Sequence, residues 1–306
     1  MKDKVVETAS KLADLAPRRG GTERKAAELI KENISEELVV QEYDVVYPEF
    51  KNSELHVDGE KIECLPGGFK SGEINSKNLV NSVHNGQGEV SSPAISFNPH
   101  ADGISVTTFY DGPVVAIAPS DVSEVLEAEE VSGELEVQWR SGKSRNILVG
   151  NTDDPSQVVM THYDSLWGGF IDNGFSVSLL VHLLEEIDLE STLVVFAGSE
   201  EVSQESPYHC YGYRRFEAEY SDLLESAESI KVVDSLGRGS QQVIEDPEIV
   251  EKAIVFSQNR FIEKTDLLAS SYGDVLDIYH SKLDKKEALT HYEEALELLR
   301  EQLLKD

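Results

Sequence analysis

Cysteine is nearly absent. The 306-residue chain has two, Cys64 and Cys210, too few for a disulfide scaffold or for a zinc finger built from several thiolates. Long apolar runs are missing as well. Met1 to Leu15 is charged and broken by Asp and Lys, with no apolar run following a basic segment. That predicts neither signal peptide nor transmembrane span, and so a cytoplasmic protein. Basic residues are scarce, 27 Lys and Arg against 58 Asp and Glu, for a net charge of -31. Such a surface repels phosphate backbones and anionic lipid, which excludes nucleic acid and membranes as expected partners. It also repels itself, and molar salt, with a Debye length of about 3 Å, relieves that repulsion. The composition therefore predicts a salt-adapted, halophilic protein. The 40% hydrophobic content supports one large domain or two small ones.

The chain changes texture twice. Residues 21–33 predict a helix with Thr22 as cap and Ala26, Leu29 and Ile30 on one face, and 38–46 reads as a strand. From 48 to 143, short apolar runs (SELHV, KIECL, AISF, ISVTTFY, PVVAIA, ELEVQW) alternate with Gly, Asn, Pro and Ser clusters, the pattern of a small β-rich unit. One helix, 120–130 with Ser120 as N-cap, interrupts it. After Arg145, continuous strands at 146–150, 158–161, 192–197 and 230–233 alternate with helical patterns at 175–187, 211–219 and 247–258. A periodic helix closes the chain at 285–305, with Leu289, Tyr292, Leu296 and Leu299 on one side. Strands of this kind lie in a sheet covered on both faces. The expected fold is α/β, a three-layer αβα sandwich with a mixed, mostly parallel central sheet. Residues 1–47 and 144–306 form its discontinuous domain, and 48–143 form an inserted small β-rich domain.

In open α/β sheets, functional residues collect at the carboxyl ends of strands. Strand 158–161 runs into His162, Tyr163 and Asp164, and a Gly-Gly loop then leads to Asp172 and Asn173. Strand 192–197 ends in Gly198, Ser199 and the pair Glu200–Glu201. Strand 230–233 ends in Asp234, and the turn after Leu276 carries Tyr279, His280 and Asp284. Taken singly, each has a plain structural reading as surface turn, helix cap or core histidine. Together they form an N/O ligand set suited to zinc or a similar divalent ion. Adjacent carboxylates on an extended segment point in opposite directions, so one of Glu200 and Glu201 can bind metal while the other serves as base. His209 and Cys210 lack partners for a separate metal site, and His56, His84, His100, His182 and His291 have no ligand-spaced partners.

The order HYDS (162–165), DN (172–173), EE (200–201), Asp234 and YHS followed by Asp284 resembles the M28 family of zinc aminopeptidases. LAPRRGGTERKAAELIKENI is similar to the family's opening helix. The likeness covers 10–45 and 146–305, and 48–143 resembles a protease-associated β domain. The resemblance implies two zinc ions, with cobalt or manganese as possible substitutes. Asp172 would bridge them, His162 and Asp234 completing one position and Glu201 and His280 the other. Asp164 would orient His162, Glu200 would act as general base, and Tyr279 would donate to the oxyanion. The implied reaction is release of N-terminal residues from peptides. Single-zinc glutaminyl cyclisation, carboxypeptidase action and an inactive binding module are the alternatives; the complete ligand set argues against the last. The chain departs from the family pattern in the bulkier run Gly174, Phe175, Ser176, Val177 and in VSQESPYHCYGYRRF after the Glu pair, which bears on substrate preference.

Overall fold

A computed structural model describes residues 1–83 and 90–304; His84 and Lys305 lie outside the described residues. The chain forms two compact units. The first comprises Met1–Val46, Ser141–Val275 and the residues from Asp284 on; the second comprises Tyr47–Arg140 and Leu276–Leu283. In chain order, α1 (Lys2–Ala13) and α2 (Gly21–Glu32) precede β1 (Leu38–Val57), which continues past Val46 into the second unit. There follow β2 (Glu60–Ile62), β3 (Leu65–Pro66), β4 (Gly72–Ile74), β5 (Leu79–Asn81), β6 (Ala94–Phe97), β7 (Val114–Ile117) and α3 (Val122–Glu127). The long β8 (Val131–Gly150) returns the chain to the first unit. Next come β9 (Gln157–His162), α4 (Ser176–Leu183), β10 (Thr192–Ala197), α5 (Tyr211–Ser226) and β11 (Ser229–Asp234). The chain ends with β12 (Gln241–Ile244), α6 (Pro247–Ala253), β13 (Thr265–Ser270), α7 (Tyr272–Val275) and α8 (Tyr292–Leu303).

In the first unit the strand order is β12-β13-β11-β9-β10-β8-β1. The inner four, β13, β11, β9 and β10, run parallel, with β12 and β8 antiparallel at their flanks. The fold is thus α/β with a mixed sheet. Val158, Val159, Met160, Leu193, Val194 and Val195 are all fully buried. Since successive side chains point to opposite faces, both faces of the sheet are covered. On one face Val158, Met160, Leu193 and Val195 pack with Phe216, Leu223 and Leu224 of α5. The chain steps from β9 to β10 on one side and then back across β9 to β11 on the other. That reversal is a topological switch point at the carboxyl end of β9.

The second unit has its own four-stranded sheet, ordered β3-β7-β6-β5, around Leu55, Val57, Ile95, Val115, Ile117 and Leu135. Half-buried Cys64 packs against this cluster. The run ISVTTFY is not a ladder strand. Its Val106 N–H donates to His280 O and its Tyr110 N–H to Gly67 O, so its backbone is satisfied by isolated partners.

Three local expectations change. Thr22 is not a cap: α2 starts at Gly21, and the Thr22 hydroxyl donates to Pro17 O. Ser120 lies in a 3-10 turn and its hydroxyl meets Asp121 rather than capping α3. The terminal helix starts only at Tyr292, after a 3-10 turn at 286–288. The charged N-terminus is helical. Val5, Thr8, Ala9 and Leu12 recur at helical spacing and are buried, while the acids and lysines face water. No helix among the described residues is long and apolar enough to cross a membrane.

Candidate metal centre

His162 is the last residue of β9 and is paired in register with Ala197 of β10. Its ring is buried. Nε2 lies 3.3 Å from Asp172 Oδ1 and 3.4 Å from Asp234 Oδ1. One ligand atom from each of these three residues falls within 4.8 Å of the others. Asp172 reaches this point on the turn after β9, and Asp234 from the end of β11, the two elements that flank the switch point. Asn173 ties them together: its amide donates to Thr161 Oγ1 and Val233 O, and its Oδ1 accepts from Ser235 N–H. Asp234 is the exposed member, at 29%, and marks the open side of the group.

The turn that delivers Asp172 is built on a buried carboxylate. Asp284 accepts from the N–H groups of Gly169 (3.0 Å), Ile171 (2.7 Å) and Asp172 (3.0 Å). Burial nonetheless pushes the Asp284 carboxyl up to about 6, the N–H donors opposing.

Glu200 and Glu201 follow β10, and both are buried. They do not sit on an extended strand. Ser199 holds a left-handed φ of 50°, and the two glutamate N–H groups donate to Asp164, at 3.0 Å to Oδ1 and 2.9 Å to Oδ2. Asp164 thus grips the Glu–Glu backbone, while its Oδ1 stands 3.5 Å from His162 Nδ1, a long contact. Glu201 and Asp172 also bring ligand oxygens within 4.8 Å of one another. Glu200 Oε1 accepts from the Cys210 thiol at 3.0 Å. His209 instead meets Pro207 O.

Burial, together with Glu201, Asp164 and Asp234, pushes Glu200 up to about 8, against the pull of His162. Burial works against a charged His162, yet Glu200, Asp164, Asp172 and Asp234 outweigh it and hold its pKa well above the usual value. A buried cluster of this kind holds protons or a cation; it does not stay bare.

In the second unit, Tyr279 stacks on His280, ring centroids 3.8 Å apart. His280 has a φ of 46°, and its Nδ1 lies 2.9 Å from Val106 O. A carbonyl at that nitrogen requires the proton there, so Nε2 carries the lone pair that a metal would take.

The donor set fits a borderline divalent ion. One imidazole nitrogen and two carboxylate oxygens converge within 4.8 Å of one another, with further buried carboxylates beside them. Sequence reasoning missed two buried charges of the first unit that touch the segments carrying the site. Glu23 of α2 accepts from Ser144 and from Ser199 Oγ, the residue before Glu200. Burial and Asp164 push it up to about 8, with Ser144, Ser199 and Arg145 opposing. Arg18 is fully buried against the turn that carries Asp172. Their only sequence signal was an opening segment, PRRGGTERKAAELI, denser in charge than a helix of this burial needs.

No protein-family model matches the sequence, and no curated relative matches it. Solved structures do. The chain is similar to BSAP, a zinc aminopeptidase from Bacillus subtilis, at 16% identity and a TM-score of 0.67, over 99% of this chain and 95% of that one. A Peptidase M28 precursor from Shewanella amazonensis matches at 13% identity and 0.61, over 96% and 92%. Tannerella forsythia glutaminyl cyclase matches at 11% and 0.53, over 100% and 99%. At these identities the likeness is one of fold: the chain has the α/β fold that these zinc aminopeptidase and glutaminyl cyclase structures share.

Proposed function

We propose that the protein is a zinc-dependent aminopeptidase that hydrolyses the N-terminal peptide bond of peptides. The observation that carries this reading is the convergence of His162, Asp172 and Asp234 at the switch point, with the buried Glu200 beside them. His162, Asp172 and Asp234 are the residues that would hold zinc, and Asp172, Glu201 and His280 would be the candidate ligands of a second ion. Zinc held there would polarise the scissile carbonyl and lower the pKa of a bound water toward neutrality. Glu200 takes the proton from the attacking water and returns it to the leaving amine. The Cys210 thiol donates to Glu200 Oε1 and so helps to orient the carboxylate for that exchange. The surrounding carboxylates attract the free α-amine of a peptide, which favours action at N-termini. Tyr279 donates to the developing oxyanion.

The likeness to the Tannerella forsythia protein supports a second reading, glutaminyl cyclisation with one zinc. Elemental analysis and aminoacyl chromogenic substrates, applied to one preparation and its Glu200→Gln variant, separate the two. Near two zinc per chain, with hydrolysis lost in the variant and metal retained, is the expected result. One zinc with no amino acid released favours cyclisation, and no zinc after reconstitution overturns both.

A further inference from the structure

Arg18 is among the largest fully buried side chains of the protein, and among the described residues its guanidinium donates to main-chain carbonyls alone. Nε donates to Tyr163 O at 2.5 Å, Nη2 to Asp164 O at 3.2 Å, and Nη1 to Gly169 O at 2.9 Å and Leu12 O at 3.2 Å. Its backbone also bonds Ser165 in both directions. A buried guanidinium usually sits on a carboxylate. Here the negative charge stands further off, on Asp164, Asp172, Asp284 and Glu201.

Apart from Leu12 O, the partners of Arg18 and Asp284 fall on one stretch of chain, 163–172, which begins next to His162 and ends at Asp172. Arg18 takes carbonyls from it and Asp284 takes amides. Both charges meet at Gly169, whose C=O accepts from Arg18 and whose N–H donates to Asp284. Gly169 has a φ of 91°, and a Cβ there would lie 2.9 Å from Arg18 Nη1 and 2.6 Å from Ser165 Cβ. The loop therefore approaches the guanidinium too closely at 169 for any side chain larger than hydrogen.

We propose that Arg18 and Asp284 are paired positioning residues, a buried cation and anion that fix the 163–172 loop in metal-receiving geometry before any metal arrives. The inference rests on the reading of His162, Asp172 and Asp234 as a metal position. The two charges act through the backbone, one on its oxygens and one on its amide hydrogens, so neither occupies a ligand oxygen of Asp172. A positive charge near a cation site would by itself weaken metal binding. Removal of Arg18 therefore gives opposite results for the two roles: tighter zinc if its charge merely repels the metal, weaker zinc if it holds the loop.

The test is calorimetric titration of the metal-free full chain with zinc ion, below the melting point of each variant as followed by circular dichroism. Arg18→Met is expected to bind zinc at least about tenfold more weakly than the parent, the range seen when groups supporting ligands are removed. Arg18→Lys should fall between, since one ammonium cannot span three carbonyls. Asp284→Asn should also weaken zinc binding, but loss of its charge does so on either reading. Arg18→Lys, which keeps the positive charge and loses the fork, decides the matter if Arg18→Met does not fold, since a mere repulsion would leave its zinc affinity at the parent value. A variant that melts earlier yet binds zinc like the parent, or more tightly, overturns the proposal and leaves Arg18 a stabilising residue only. Peptide hydrolysis does not enter this test, so loss of the aminopeptidase reading would leave it intact. A parent chain that takes up no zinc would overturn the metal position, and the positioning role with it.

Discussion

The two units solve the same packing problem in different chemistry. The second unit closes over Ile95, Val115, Ile117 and Leu135, and among its described residues the buried polar side chains are serines and an asparagine. The first unit has an apolar core of equal quality around Val158, Met160 and Leu193. Yet it also buries Arg18, Glu23, His162, Asp164, Asp172, Glu200, Glu201 and Asp284. Each buried charge costs free energy unless paired or bound. Among the described residues the second unit buries no charged side chain; buried ionisable groups clustered in this way are the physical signature of a candidate functional site.

That contrast can be broken. The largest expected effect is from Asp172→Ala, which removes the carboxylate shared by the proposed positions; bound zinc, measured by elemental analysis, and hydrolysis should both fall to background. Glu200→Gln should lower kcat by about 10²–10⁴-fold with zinc retained; loss of zinc would instead make Glu200 a ligand. Ile95→Ala in the second unit should cost about 2–5 kcal/mol in urea unfolding. The ionisable group packed against its cluster, the Cys64 thiol, is pushed by burial up to about 11, so that cost should stay flat with pH below that value.

Glu23→Gln should behave differently. The folded value of Glu23, about 8, lies above the ordinary 4.5, so the native state holds an extra proton between these limits. Stability contributed there declines as pH rises through that window. The variant should therefore melt several degrees above the parent at pH 8 or above, with the gain shrinking toward pH 4.5. A gain independent of pH would show that Glu23 is not protonated in the fold. The smallest effect expected is on the surface: the melting temperature should rise from low to molar salt as the -31 charge is screened. An unchanged value would remove the inference of salt adaptation.

Strong local signals were legible. The short runs VVMT (158–161), TLVVFA (192–197) and IKVV (230–233) are β9, β10 and β11, because short stretches dominated by Val, Leu, Ile and Phe suit strands buried on both faces. What was weak locally was missed. TDLLAS is β13, held by pairing with β11 and β12 and not by its own pattern. α1 hid its apolar stripe among lysines and acids.

The sequence alone pointed to the candidate site residues, since His162 and Asp234 close the strands β9 and β11, and Asp172, Glu200 and Glu201 lie in the segments that follow β9 and β10. It also determined the acidity of the surface. Only the tertiary structure decided how these groups are held. Asp164 grips the backbone of Glu200 and Glu201, Asn173 joins β9 to β11, and Arg18 and Asp284 divide the carbonyls and amides of one loop. Those bonds link residues more than thirty positions apart, and Arg18 and Asp284 lie more than a hundred from the loop they hold. Local pattern reports propensity and periodicity over a few turns of chain; it has no measure of which buried backbone group a distant charge will meet.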